Sequence, residues 1–292
     1  MACILGVGIA TLDIINRVAE YPAEDSEVRA LGQRICRGGN ATNTLVVLSQ
    51  LGHRCRWAGT LAEEPDAKYI LADLQQYQID TSAIVTIPHG KVPTSYIAVS
   101  ERTGSRSIIH YRDLAEYTVA DFRRVDLAAV DWLHFEARNV AETGQMLAWA
   151  HEQRPRLPIS VEVEKPRPDV ERLFTRANVL LFSRAFAATR GFQHAEGFLR
   201  AMRALAPQAV LVVAWGSEGA YGLEPGDGVH HCPAFPPPRV IDTLGAGDTF
   251  NAGFIDAQLR GESLSGSLER ANRLAGKKCG LIGLELGLGR ES

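Results

Sequence analysis

Short apolar or β-branched runs alternate along the chain with longer amphipathic stretches, and that alternation predicts an α/β fold: a mainly parallel sheet covered by helices on both faces. Ile4–Ile9, Cys55–Leu61, Trp132–Ala137, Ile159–Glu164, Val179–Phe182 and Val210–Trp215 read as strands. They are largely apolar rather than strictly alternating, as expected of strands buried on both sides. Ala41–Leu51, Ala67–Tyr77, Ala141–Gln153, Ala195–Leu205, Thr249–Leu259 and Leu264–Cys279 read as helices, several closing near a glycine.

Two regions break the rhythm. One is Glu27–Arg37; the other is the pair of runs Thr94–Ser100 and Ser105–Arg112, joined by the turn-forming Arg102-Thr103-Gly104. These two runs predict antiparallel strands, either a lid over a site or a plain surface hairpin. Pro236-Pro237-Pro238 is a stiff connection following the strand-like Val229–His231, not a domain linker.

Composition narrows the field. In 292 residues, 46% hydrophobic and 22% charged positions suit a globule with a substantial core, and a net charge of −3 gives no basic excess of the kind nucleic-acid binding requires. Cys3, Cys36, Cys55, Cys232 and Cys279 are scattered, with no C-x-x-C pair, which argues for a reducing, cytoplasmic setting. Neither a basic leader nor an apolar run of membrane-spanning length is expected.

The densest chemical signal is Asp242-Thr243-Leu244-Gly245-Ala246-Gly247-Asp248-Thr249, small residues just ahead of a helix. Glycines allow close backbone approach, and the unpaired N–H groups of a first helical turn favour an anion. Gly245, Ala246 and Gly247 are therefore candidates for an anion hole. Asp248 is a candidate base that takes the proton of an acceptor hydroxyl; the competing reading is an ordinary N-cap. Arg37-Gly38-Gly39-Asn40-Ala41-Thr42-Asn43 opens another helix, with Asn40 and Asn43 three apart and able to present two amides to a polyol, or with Asn40 simply capping. Gly6-Val7-Gly8 with Asp13 is not a dinucleotide fingerprint: Thr11 stands where a third glycine is needed, and Asp13 is too near. Asp13, read as the end of the first strand, suits contacts to sugar hydroxyls or a turn.

The Gly-Gly-Asn helix start and the Gly-Ala-Gly-Asp turn together resemble the signatures of the ribokinase or PfkB family of carbohydrate kinases. Glu24-Asp25-Ser26-Glu27, Ser160-Val161-Glu162-Val163-Glu164-Lys165-Pro166-Arg167, Ala234-Phe235-Pro236-Pro237-Pro238-Arg239-Val240 and Gly276-Lys277-Lys278-Cys279-Gly280-Leu281 extend the likeness, in order, over nearly the whole chain. They are most similar to the ketohexose-phosphorylating branch of that family. The resemblance implies a single ribokinase-like, doubly wound domain over residues 1–292, with lid strands within about 13–37 and 91–112 and dimerisation through the lid. It also implies transfer of the ATP γ-phosphoryl group to the C1 hydroxyl of a ketohexose such as fructose. Asp13, Gly39, Asn40 and Asn43 would then hold the sugar, and Asp248 would act as base. Arg106, Gly219, Pro236 and Pro237 would border ATP. Mg²⁺ would enter with ATP, and the family likeness leaves room for a monovalent cation.

Two departures stand out. Where many members carry Asn-x-x-Glu to place magnesium, this chain reads Ser183-Arg184-Ala185-Phe186, so no metal ligand is assigned. Ser217 occupies the place of an acid, which bears on acceptor choice. Glu162 with Glu164 and Lys165, and Glu136 with Arg138, each fit either a site or a polar ion cluster, and the eight histidines show no metal spacing. Another ketose, a sugar acid or a nucleoside as acceptor, or a non-catalytic sugar- or nucleotide-sensing protein, are the competing readings.

Overall fold

The computed structural model describes residues 1–288. The chain opens with β1 (Cys3–Val7), β2 (Thr11–Val18), β3 (Gly32–Gly38), α1 (Asn40–Gln50), β4 (Arg54–Ala58), β5 (Thr60–Ala62), α2 (Ala67–Gln76), β6 (Val85–Ile87), β7 (Lys91–Ser100) and β8 (Arg106–Asp113). Next come α3 (Val119–Phe122), β9 (Trp132–Glu136), α4 (Val140–Gln153), β10 (Ile159–Val163), β11 (Val179–Ser183), α5 (Arg184–Thr189) and α6 (Ala195–Leu205). The chain then runs through β12 (Val210–Ala214), β13 (Ala220–Leu223), β14 (Val229–Cys232), α7 (Ala246–Leu259) and α8 (Leu264–Cys279).

The apolar runs pair as an eight-stranded sheet, ordered β14-β13-β12-β11-β10-β9-β1-β4. Its six strands from β12 to β4 are parallel, and only β13 and β14 join antiparallel. Strand alternation sends side chains to two separate cores. Leu5, Leu133, Phe135 and Leu180 meet Leu147 of α4 and Phe198 of α6 on one side, while Ile4, Trp132, Leu181 and Val212 meet Leu45 of α1, Phe254 of α7 and Leu268 of α8 on the other. Burying each such side chain contributes about 1.5–3 kcal/mol, which is why these strands carry so few polar residues.

A second sheet, ordered β3-β2-β7-β8, lies apart from the first. Its register puts Cys36, Asp13, Ser95 and His110 in one row and Ile35, Ile14, Tyr96 and Ile109 in the adjoining row, which points the other way. The first row faces a cavity; of the second, Ile35, Tyr96 and Ile109 are exposed. Here the structure corrects the sequence reading. β1 stops at Val7, and Asp13 belongs not to its end but to β2, at the centre of this sheet. Cys55–Leu61 also divides, giving β4 and a short β5 that pairs with β6.

Among the described residues no helix is long and apolar enough to cross a membrane. The carboxylate of Asp256, fully buried in α7, ties the body together by accepting from His53 Nε2 at 2.9 Å, Arg260 Nε at 3.0 Å and Arg270 Nε at 2.5 Å. Burial raises its pKa, but these three donors outweigh burial and hold the carboxyl down at about 2. A lowered folded-state pKa stabilises above the unfolded value near 4 and loses that contribution as pH falls toward 2. Asp256→Ala is expected to destabilise the fold by about 3 kcal/mol at neutral pH. In urea titrations at stepped pH, the gap from wild type should narrow between pH 4 and 2.

Candidate active site

A cavity of about 520 Å³ lies where the C-terminal ends of β1, β9 and β10 meet the first turns of α1 and α7, roofed by the inward row of the small sheet. Open parallel sheets gather ligands at this rim. Of the residues singled out in the sequence, Asp13, Gly39, Asn40, Asn43, Arg106, Gly245, Gly247 and Asp248 all line it.

α7 begins earlier than the sequence suggests. Its N-cap is Gly245, with a φ of 80°, so Asp248 sits inside the first turn and is not the cap. The Asp248 side chain is thus free for another task. Its Oδ2 accepts from Asn43 Nδ2 at 2.6 Å. Among the described residues the N–H groups of Gly245, Gly247 and Asp248 find no backbone or side-chain acceptor, whereas Ala246 N–H donates to Thr243 O at 3.2 Å and Ala246 does not line the cavity. Of the expected anion-hole residues, Gly245 and Gly247 thus carry unpaired N–H groups at the cavity, joined by that of Asp248, while the Ala246 N–H is already engaged.

The Gly-Gly-Asn segment is shaped by close approach. Gly39 has a φ of 105°, and a Cβ there would lie 2.2 Å from the Ile9 carbonyl oxygen. Asn40 is not an N-cap either. Its Nδ2 donates to Glu162 Oε1 and Glu164 Oε2, each at 3.1 Å, and the buried Glu136 carboxylate takes over at the helix start, accepting from Ala41 N–H at 2.8 Å and Ile9 N–H at 3.2 Å. Glu136 is a member of the site that the sequence left undecided. On the roof, Thr11 Oγ1 donates to Asp13 Oδ1 at 2.8 Å, and Ser95 Oγ lies 3.2 Å from His110 Nδ1.

Electrostatically the cavity is divided. Burial pushes the Asp248 carboxyl up to about 7; the hydrogen bond from Asn43 pulls down, Glu164 and Glu136 push further up, and Arg37 pulls down. Burial also drives Glu162 well above the usual carboxylate range, with Asp248 and the neighbouring glutamates adding to it. The carboxyls of Asp248, Glu136, Glu162 and Glu164 thus disfavour one another's ionisation. At the other end Arg112, Arg138, Lys165 and Arg167 line the wall. His110 has its pKa lowered first by burial and then by Lys165, Arg138 and Arg112.

The nucleotide candidates fall in two places. Arg106, on β8, donates from Nη1 to Thr243 Oγ1 at 3.1 Å, beside the glycine turn. Gly219, Pro236 and Pro237 do not line the cavity. They belong to a neighbourhood where a Cβ on Gly219 would lie 2.1 Å from Cys232 O, and where Pro237 packs on Gly280 at the end of α8. Ser217 is exposed in the β12–β13 connection and does not line the cavity, so the acceptor-choice role read from the sequence is not supported by its position. At the strand end lacking Asn-x-x-Glu, Ser183 caps α5 and Arg184 lies over the Trp215 ring.

Three participants escaped sequence reasoning. Arg37 is buried and donates to Asn43 Oδ1 at 2.7 Å; Asp242 accepts from Arg34 of β3 at 3.2 Å; and the fully buried Lys278 donates to Asp242 O at 2.6 Å. All three stand in or beside the motif strings, Arg37 directly before Gly-Gly-Asn and Asp242 at the head of the glycine turn, but no contact of theirs was foreseen. Among the described residues no three His, Cys, Asp or Glu side chains converge to hold a metal alone. Glu162 Oε2, however, is buried without a hydrogen-bond partner, which suits an acceptor waiting for a water or a cation.

Comparison with known proteins agrees with this geometry. The pfkB family carbohydrate kinase model matches residues 1–287. The chain is 43% identical over 290 residues to mouse ketohexokinase, covering 97% of each, and 27% identical to fructosamine kinase FrlD of Bacillus subtilis (strain 168), covering 84% of each. Among solved structures, a putative ribokinase from Agrobacterium tumefaciens superposes with a TM-score of 0.85 at 25% identity, covering 97% of this chain and 92% of that one. Arabidopsis thaliana ribokinase complexed with ribose and ATP shares the fold, with a TM-score of 0.80 at 19% identity over 99% and 96% of the two chains. Its parallel sheet, its glycine turn at α7 and this full-length match make the chain a member of the pfkB family of carbohydrate kinases.

Proposed function

We propose that this protein is an ATP-dependent ketohexose kinase that transfers the γ-phosphoryl group to the C1 hydroxyl of fructose or a close ketose, in the cytoplasm. The observation that carries the reading is Asp248: a desolvated carboxylate beside three free N–H groups at a helix start, facing a cavity of polyol size. The 43% identity to mouse ketohexokinase supports the acceptor class.

In this reading Asp13, Gly39, Asn40 and Asn43 hold sugar hydroxyls, and Asp248 takes the proton of the attacking one. The N–H groups of Gly245, Gly247 and Asp248 face the charge on the transferred group. ATP reaches that turn from the neighbourhood of Gly219, Pro236 and Pro237, with Arg106 as a fixed cation beside its phosphates. Mg²⁺ bound with ATP would supply charge neutralisation for the phosphates, and Glu162, whose Oε2 has no hydrogen-bond partner, is the carboxylate that would help hold it. A monovalent cation is a further cofactor to test by exchanging K⁺ for Na⁺. The small sheet acts as a lid that excludes water. Its outward row, with Ile35, Tyr96 and Ile109 exposed, is the face through which two copies pair. Arg138, Lys165 and Arg167 on the wall favour a sugar acid as the second reading of the acceptor.

Four outcomes check this. In an ADP-release assay over ketoses, aldoses, sugar acids and nucleosides, fructose or a close ketose should give the highest kcat/KM. Asp248→Asn should lower kcat by at least about 100-fold with little change in sugar KM. Because the base must be unprotonated and its pKa in the free protein stands at about 7, wild-type kcat/KM should decline as pH falls below that value. Equal turnover by wild type and the variant would remove Asp248 from its role. By light scattering, wild type should be a dimer and Ile109→Asp a monomer.

A further inference from the structure

Asn43 can assist Asp248 only with its amide turned the right way, and something must choose between two orientations that differ by a flip of oxygen and nitrogen. The choice falls to Arg37. This guanidinium, 2% exposed, reaches from β3 to three residues on two helices, α1 and α2. Its Nε donates to Asp73 Oδ2 of α2 at 2.5 Å, and its Nη1 donates to Thr42 Oγ1 at 3.1 Å and Asn43 Oδ1 at 2.7 Å. Arginine has no acceptor atom, so Asn43 must offer it the oxygen. Asn43 Nδ2 is then obliged to face Asp248 Oδ2, which it meets at 2.6 Å. Asp248 Oδ1, with no hydrogen bond from any described residue, is left for the acceptor hydroxyl.

We propose that Arg37 is a positioning residue for phosphoryl transfer: held by Asp73, it fixes the Asn43 amide as a donor and thereby aims the Asp248 carboxylate. The inference rests on the reading of Asp248 as base. Lysine cannot replace it, since a single ammonium lacks the planar fork that spans Asp73 and Asn43 together. Arg37 also belongs to the small sheet, so the aim of the base depends on where β3 sits.

Without Arg37 the Asn43 oxygen is free to turn toward the carboxylate, and the donor to Asp248 is lost. Hydrogen bonds to charged groups support a loss in kcat of about 10- to 100-fold for Arg37→Gln, with sugar KM changing less. The groups acting on Asp248 are Asn43 from α1, Arg37 from β3, Glu136 from β9 and Glu162 and Glu164 from β10 and its end; removing the cation and freeing the amide both favour the protonated acid. The acidic limb of the kcat/KM profile should therefore move to higher pH.

The deciding experiment is a double-mutant cycle in an ADP-release assay with fructose, using Arg37→Gln, Asn43→Ala and both together, with folding checked by circular dichroism. In the Asn43→Ala background, at a pH above the acidic limb of every variant, Arg37→Gln should have almost no further effect on kcat. Asp73→Asn, at a half-exposed position, should show a smaller shift of the same sign and keeps the test available if Arg37→Gln folds poorly. Additive losses, or an Arg37→Gln enzyme with wild-type kcat and pH limb, would overturn the proposal. If wild type turns over sugar and Asp248→Asn does not, such a result refutes the Arg37 inference alone; if Asp248→Asn matches wild type, the underlying reading fails first.

Discussion

A carboxylate taken out of water must be paired or must hold its proton, and the rim of the parallel sheet is organised around that constraint at Asp248. Burial makes the group basic, and the Asn43 amide together with the Arg37 charge keeps it from being fully neutralised. The opposed effects leave it able to exchange a proton near neutrality, which a base in phosphoryl transfer must do. Glu136 solves a related problem nearby. It is equally buried, and its carboxylate accepts from the Ala41 N–H at the start of α1 and the Ile9 N–H between β1 and β2, so its work is to hold those two segments together beneath the cavity.

The small sheet is joined to this machinery by charged contacts, not by apolar packing alone. Arg34 and Arg37 from β3 and Arg106 from β8 reach Asp242, Asn43 and Thr243, while Lys278 braces Asp242 from beneath. The glycine turn therefore has partners on both the roof and the body. The roof is not held by its rim alone, since Leu12 of β2 and Val92 of β7 are buried in the core shared with α1 and α7.

The body of the fold was legible because its strands are buried on both faces. Val179–Phe182 is wholly apolar and Trp132–Ala137 is apolar but for His134 and Glu136, and β9 and β11 fall within a residue of those bounds. β2 was not legible, since Asp13, Asn16 and Arg17 interrupt its apolar positions and its neighbours β3 and β7 lie far along the chain. The motifs around Asn40 and Asp248 were visible as strings of small residues, but whether those two residues merely capped their helices stayed open. The groups that take the place of such caps, Glu136 and the backbone of Gly245, depend on tertiary placement and on a positive φ. Arg37, Asp242 and Lys278 carry no spacing signal of this kind: Asp242 and Arg34 meet across 208 positions of sequence, Lys278 and Asp242 across 36.

The two-residue alternation of the small sheet has an evolutionary corollary. On β2 and β7, Asp13 and Ser95 look into the cavity while their immediate neighbours Ile14 and Tyr96 look away from it. Adjacent codons therefore answer to different selective pressures. A lineage can retune which small molecule is admitted, or what the outer surface meets, by substitutions one residue apart that leave the other trait unaltered.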